Sequence, residues 1–123
     1  MLGLFSSSFY GKGEVVLKIR GPLLDHPVQS SIQIGPNKHV EVDAPAKFIN
    51  HSCMPNTKVE NEQIVAIKKI SPGDEITFDY QGSEYELAVP FVCRDCGQWV
   101  KGMKYKGENV CLQAMQQKIM ETQ

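Results

Sequence analysis

The chain carries Phe48-Ile-Asn-His-Ser-Cys-Met-Pro-Asn56 and, after residues 57–72, Gly73-Asp-Glu-Ile-Thr-Phe-Asp-Tyr80. The first stretch makes a poor core and a poor regular element. Asn, His and Ser are mostly found outside the core, and Pro55 forbids a regular helix or a central strand. Such a stretch shapes a loop or presents polar groups. An Asn amide there is a natural partner for the edge of an adenine, or for a carboxylate and an amine. The second stretch follows the turn signal Ser71-Pro-Gly-Asp74 and alternates as a strand. Ile76, Phe78 and Tyr80 then share one face, and Glu75, Thr77 and Asp79 the other. An aromatic face ending in a Tyr hydroxyl can line a narrow apolar slot. Each stretch alone has a plainer reading: a core strand whose Tyr tips into water, a structural His51, a Cys53 buried as a small apolar residue. Found together, in this order and at this separation, they are far more specific.

Outward from these two stretches, the chain reads as short strands punctuated by Gly, Pro and Asn. Residues 14–20 and 30–34 stop at Gly21-Pro22 and Gly35-Pro36-Asn37, and residues 39–42 alternate. Residues 57–60 and 63–68 flank Asn61-Glu62 as a hairpin. Residues 43–56 are the least regular long connection, a usual place for function. Near the end the period changes: Leu112, Met115, Ile119 and Met120 recur at helical spacing, predicting a short amphipathic helix over 111–121. It packs on the protein's own core or serves as a lid or dimer contact.

With 123 residues the chain fits one domain with one core. A formal net charge of −1 gives no electrostatic case for direct nucleic-acid binding. No apolar stretch approaches the roughly 20 residues of a membrane helix, and the start lacks the basic n-region of a signal peptide. Four cysteines without a secretion signal predict an intracellular, cytoplasmic or nuclear, reducing environment, where Cys is a thiol or a metal ligand. Cys93-Arg-Asp-Cys96-Gly97 is a C-x-x-C turn, one half of a zinc signature.

The pair of stretches resembles the two signature segments of SET-domain protein-lysine methyltransferases. Gly3-Leu-Phe5 with Lys12-Gly-Glu-Val-Val16 looks like that family's opening, and Val42-Asp-Ala44 before Lys47 looks like the approach to its knot-like segment. The likeness runs from about residue 2 to residue 80, with a weaker tail to about 102. It implies a mainly β, β-clip-like fold of small curled sheets with a pseudoknot and a short C-terminal helix. It places a SET domain over 1–90, with a reduced N-terminal part, and a post-SET-like segment and helix over 91–123. It implies S-adenosylmethionine as methyl donor and a protein or peptide lysine, a histone tail among the candidates, as acceptor. By position in the motifs, Tyr80 matches the catalytic Tyr and Phe78 with Tyr80 the substrate channel. Leu2, Gly3, Asn50 and the backbone of His51 match cofactor contacts, and Trp99 sits where a post-SET segment can close over the cofactor or the lysine channel, or packs under the C-terminal helix. Phe91-Val-Cys93-Arg-Asp-Cys96-Gly97 looks like a post-SET segment whose third cysteine is replaced. Cys53, Cys93, Cys96 and Cys111 would then form a four-thiolate zinc site. A homodimer that completes the site stays open, as do two other readings: a SET-like module that binds a lysine peptide without turnover, and a small zinc-stabilised interaction protein.

Overall fold

The computed structural model describes residues 3–108, 110 and 111. Leu2 and the expected C-terminal helix, apart from Cys111, lie outside them. Among the described residues eleven short strands form four small sheets. β2 (Val15–Lys18), β8 (Gln63–Ala66) and β7 (Thr57–Glu60) make one, in the order β2-β8-β7. β3 (Leu23–Leu24), β5 (Lys38–Glu41) and β4 (Ser31–Gly35) make the second, with β5 central. β9 (Glu75–Phe78) is central in the third, between antiparallel β1 (Leu4–Phe5) and parallel β6 (Asn50–His51). β10 (Phe91–Val92) and β11 (Trp99–Val100) form the last pair.

The turns behave as their residues dictate. Asn61 and Glu62 both adopt left-handed backbone, φ 51° and 61°. That is the geometry whose twist matches a two-residue hairpin, and β7 and β8 pair through it without a slip from Thr57↔Ala66 to Glu60↔Gln63. At Ser71–Asp74 the Asp74 amide donates to the Ser71 carbonyl (3.0 Å) and the Asp74 carboxylate accepts from the Ser71 amide (2.8 Å).

Two expectations change at β9. The strand was expected to run to Tyr80 with one polar face. It ends at Phe78, and Ile76, Thr77 and Phe78 are all buried. Thr77 is buried because the polar positions around it are used internally. Asn56 accepts from the Thr77 amide (3.0 Å) and donates to the Glu75 carbonyl (2.8 Å), and the Thr57 hydroxyl donates to the Thr77 carbonyl (2.7 Å). The strand stops because Asp79 caps a single helical turn, α1 (Tyr80–Ser83), accepting the Gln81 amide at 2.9 Å. The knot-like segment runs as β6 beside β9, and Asn56 then ties its far end to the same strand.

The main core gathers Ile32, Val40, Ile49, Ile64, Ile76 and Phe78 from three of the sheets and the connection before β6. Each is 6% exposed or less, worth about 1.5–3 kcal/mol of transfer free energy apiece. A smaller cluster joins Cys53, Cys93, Val100 and Cys111.

Asn56 holds two backbone groups of β9 from a 9%-exposed position. Asn56→Ala leaves both without their partner, at about 1–3 kcal/mol each. Urea unfolding is expected to show a loss of about 2–4 kcal/mol; a loss below about 1 kcal/mol would contradict this role for the side chain.

Candidate active site

Parallel register sets Asn50 beside Thr77 and His51 beside Phe78. It brings the two sequence motifs side by side. Tyr80 is placed by three bonds rather than by strand alternation. Its carbonyl accepts from the Glu84 amide (2.9 Å), its amide donates to His51 Nδ1 (3.0 Å), and its hydroxyl donates to the Ile49 carbonyl. The Phe78 and Tyr80 ring centroids are 4.7 Å apart. Phe91 meets Tyr80 edge-on at 5.8 Å and His51 at 5.7 Å. Burial, with Glu84 and Glu75 acting the same way, pushes the Tyr80 phenol up to about 12. It is therefore a neutral hydroxyl at physiological pH.

Asn50, His51, Phe78 and Tyr80 line one cavity of about 600 Å3. Its wall also includes Ile32 at the edge of the second sheet, the Leu87–Val89 stretch, Phe91 and Arg94. The volume falls in the range of small-molecule sites, about 300–1,000 Å3.

His51 links two parts of the site. Because Nδ1 accepts an amide proton, the neutral ring carries its own proton on Nε2. That nitrogen lies 3.1 Å from Cys111 Sγ. Burial pulls the imidazole down to about 4, and burial pushes Asp79 up to about 6. The 3.5 Å approach of His51 Nδ1 to Asp79 is thus no ion pair, since the ring is neutral whenever the carboxylate is charged.

Asn50 Nδ2 donates to Glu75 (2.8 Å), whose other oxygen accepts Arg94 Nη2 (2.8 Å). Burial raises the Glu75 carboxyl, but the bonds from Arg94 and Asn50 outweigh it and hold the group low. Gly3 lies against this pair: a Cβ there would stand 2.6 Å from Glu75 Oε2 and 3.1 Å from Asn50 Nδ2. The opening turn and the Asn50 loop therefore meet. Trp99 does not join them. On β11 its neighbour Val100 turns inward and is fully buried, so Trp99 faces out, 47% exposed, with Lys101 5.8 Å over its ring. It is not among the described residues of the cavity wall.

The four cysteines converge. None forms a disulfide, and one sulfur from each lies within 4.8 Å of all the others. Sulfurs around a tetrahedral ion with 2.3 Å bonds are roughly 3.8 Å apart, so the set fits one metal. The Cys93-Arg-Asp-Cys96-Gly97 turn is closed by Gly97, φ +74°, whose amide donates to the Cys93 carbonyl (2.9 Å). Burial pushes the Cys53 thiol up to about 12 and also raises Cys111. At Cys93 burial acts upward too, but the Cys96 and Asp95 amides prevail and hold the thiol low. Three buried thiols and the half-buried Cys96, gathered this closely, suit a metal that deprotonates them.

A model of the SET domain matches residues 1–81. The chain belongs to the SET-domain family. It is 31% identical over 68 residues to methyltransferase flvH of Aspergillus flavus, covering 52% of this chain and 38% of that protein. It is 37% identical over 76 residues to histone-lysine N-methyltransferase 2D of Homo sapiens, covering 51% and 1%. With the H3 lysine-4 specific histone-lysine N-methyltransferase of Schizosaccharomyces pombe it shares 30% over 118 residues, 75% and 13%. The chain therefore spans 38% of the first of these relatives and far less of the other two. In fold it matches KRYPTONITE in complex with mCHG DNA and SAH, at TM-score 0.59 and 22% identity over 80% of this chain and 26% of that one. A KRYPTONITE complex with mCHH DNA, H3(1-15) peptide and SAH gives 0.57 and 24%, covering 77% and 25%.

In this SET domain the motif residues Gly3, Asn50, His51, Phe78 and Tyr80 come together as expected. Glu75, Arg94, Asp79 and Glu84 were not singled out. Asp79 was readable, since an Asp followed two residues later by an unpaired amide is a helix-cap pattern. Arg94 was not, because its partner is distant in sequence and the C-x-x-C spacing says nothing of the residue between.

Among the described residues Asp79 Oδ2 is buried without a partner, and burial pushes the carboxyl up to about 6 in the folded state against 3.8 ordinarily. The folded chain thus holds a proton that the unfolded chain releases between these values. Its contribution is full below about pH 4 and is lost as pH rises through about 6, up to roughly 3 kcal/mol. Measured from pH 4 to 7, the stability of Asp79→Asn relative to wild type is expected to rise with pH. A flat difference would contradict the assignment.

Proposed function

We propose that this SET domain transfers a methyl group from S-adenosylmethionine to the ε-amine of a protein lysine. The observation that carries the reading is the single cavity in which Asn50 and His51 meet Phe78 and Tyr80. Family membership and histone-lysine methyltransferase relatives support it. So do the SAH in both KRYPTONITE complexes and the H3 peptide in one. Asn50, the His51 backbone and the turn at Leu2 and Gly3 would hold the cofactor. When bound, it supplies an electrophilic methyl on a positively charged sulfur.

The chain's own residues address the acceptor. Lysine must react as the neutral amine, which at pH 7 is only about 0.04% of the free side chain, a cost near 4.6 kcal/mol. A wall of Phe78, Tyr80, Ile32 and Leu87 disfavours the ammonium form. The Tyr80 hydroxyl, fixed by its bond to the Ile49 carbonyl, leaves its lone pairs for weak CH···O contacts at the reacting centre. The larger contribution is positioning. Phe78 places no hydroxyl at the channel, so a second and third methyl are not excluded by a bound water there. Mass spectrometry of a good acceptor is expected to show di- or trimethyl-lysine, and only monomethyl product would contradict this.

The test of the activity is transfer from labelled S-adenosylmethionine to lysine-rich proteins, wild type against Tyr80→Phe. The variant is expected to keep cofactor binding and lose roughly 100-fold in kcat, the scale of removing one preorganised polar group. No cofactor binding by the wild type at millimolar concentration would defeat the reading; binding without turnover would mark a peptide-binding module.

We also assign one structural zinc to Cys53, Cys93, Cys96 and Cys111, joining the Asn50–Asn56 loop to the post-SET-like turn. His51 Nε2–H, aimed at Cys111, would be the outer-shell donor. Metal analysis is expected to give near one zinc per chain. Chelation should lower Tm, and Cys111→Ser should lower metal retention.

A further inference from the structure

The cavity wall holds a carboxylate that the reading above does not use. Glu84 follows α1, one turn beyond Tyr80, and is 5% exposed. Its Oε2 accepts the Gln33 amide of β4 at 2.7 Å, with the Ser83 hydroxyl at 3.4 Å. Gln33 returns a bond, its side-chain oxygen accepting the Tyr85 amide at 2.6 Å. The carboxyl is thus clamped in place at the wall. Among the described residues no cation pairs with it, and it is the one carboxylate of the cavity lining. The cationic residues there are Lys47 and Arg94, and Arg94 is engaged with Glu75.

A structural role needs only a hydrogen-bond acceptor for the Gln33 amide, which a neutral amide would supply. A buried charge without a counter-ion is costly. What the charge adds is a receiver for a cation or for a proton, inside the cavity where an ammonium must lose one.

We propose that Glu84 is the base that takes the proton from the acceptor lysine. The proposal rests on the lysine methyl-transfer reading above. The N–H bond of the lysine ammonium breaks and an O–H bond forms on the Glu84 carboxylate. The nitrogen keeps the electron pair with which it attacks the methyl group, and the carboxylic acid later returns its proton to water, one proton per methyl transferred. In an apolar cavity the neutral amine and acid are favoured over the ion pair, because neither charge is then held out of water. Burial pushes the Glu84 carboxyl up to about 7, which matches its proton affinity to neutral pH. The other titratable groups around it are Tyr80 on its own turn and His51, Lys47 and Arg94 on the cavity wall. From the 3-10 turn Met103–Tyr105, the Met103 amide holds the Glu84 carbonyl, and Lys104 pairs with Glu86. β4 brings only Gln33 and other neutral residues to it.

The experiment is kcat against pH for wild type and Glu84→Gln, with S-adenosylmethionine and a lysine peptide. Gln keeps an oxygen for the Gln33 amide. The variant is expected to bind cofactor and peptide within a few-fold of wild type. Its kcat at pH 7 should fall about 10²–10⁴-fold, and should climb with pH beyond the point where the wild type levels off. An unchanged kcat and profile, or an equal loss at every pH, overturns the proposal. If Glu84→Gln does not fold, the wild-type carboxyl is followed by 13C NMR. A lysine peptide must shift its titration and a norleucine peptide must not; equal effects overturn the proposal too. A wild type that methylates no lysine instead sinks the methyl-transfer reading itself.

Discussion

The structure depends on how β9 satisfies its backbone. It is central in its sheet, buried at three of four positions, and flanked by two strands of two residues each. Such short partners cannot pair all of it. Side chains supply the rest: Asn56 bonds the Glu75 carbonyl and the Thr77 amide, and Thr57 bonds the Thr77 carbonyl. Buried backbone groups left unpaired are costly. The Asn50–Thr57 segment is therefore held along the strand whose end presents Phe78 and Tyr80. The geometry of the candidate site follows from that hydrogen-bond accounting.

A second set of contacts ties the site to the cysteine cluster. The His51 ring takes the Tyr80 amide on one nitrogen and faces Cys111 with the other. Arg94, between Cys93 and Cys96, reaches Glu75 and through it Asn50. Order at the four thiols thus reaches both the aromatic wall and the amide-bearing loop. The three buried cysteines Cys53, Cys93 and Cys111 and the half-buried Cys96 share that cluster with Val100, Tyr80, Leu87 and Phe91.

Much of the fold was legible because turns and alternation are local. The Asn61-Glu62 hairpin, the Ser71–Asp74 turn and the strands over 15–18, 31–35 and 38–41 follow from residues within a few positions. Tyr80 was legible as a candidate from its motif but not in its placement. Alternation put it on a strand face with Phe78, whereas the Asp79 cap turns the chain there. The two rings still meet, at 4.7 Å, through a helical turn instead. Trp99 shows the reverse: motif position suggested the cofactor site, whereas strand pairing turns its side chain outward beside an inward Val100.

By itself the sequence determined which residue types were present for the chemistry, and their order: an amide loop, an aromatic strand end and four thiols. It also determined the turns, since φ preferences act over one or two residues. Only the tertiary structure decided that the Cys111 sulfur lies within 4.8 Å of those of Cys53, Cys93 and Cys96, that Arg94 reaches Asn50 through Glu75, and that Glu84 stands in the cavity wall with no cation paired to it among the described residues. Each of these depends on distances between residues far apart in the chain and on removal from water. Neither quantity is carried by spacing along a sequence.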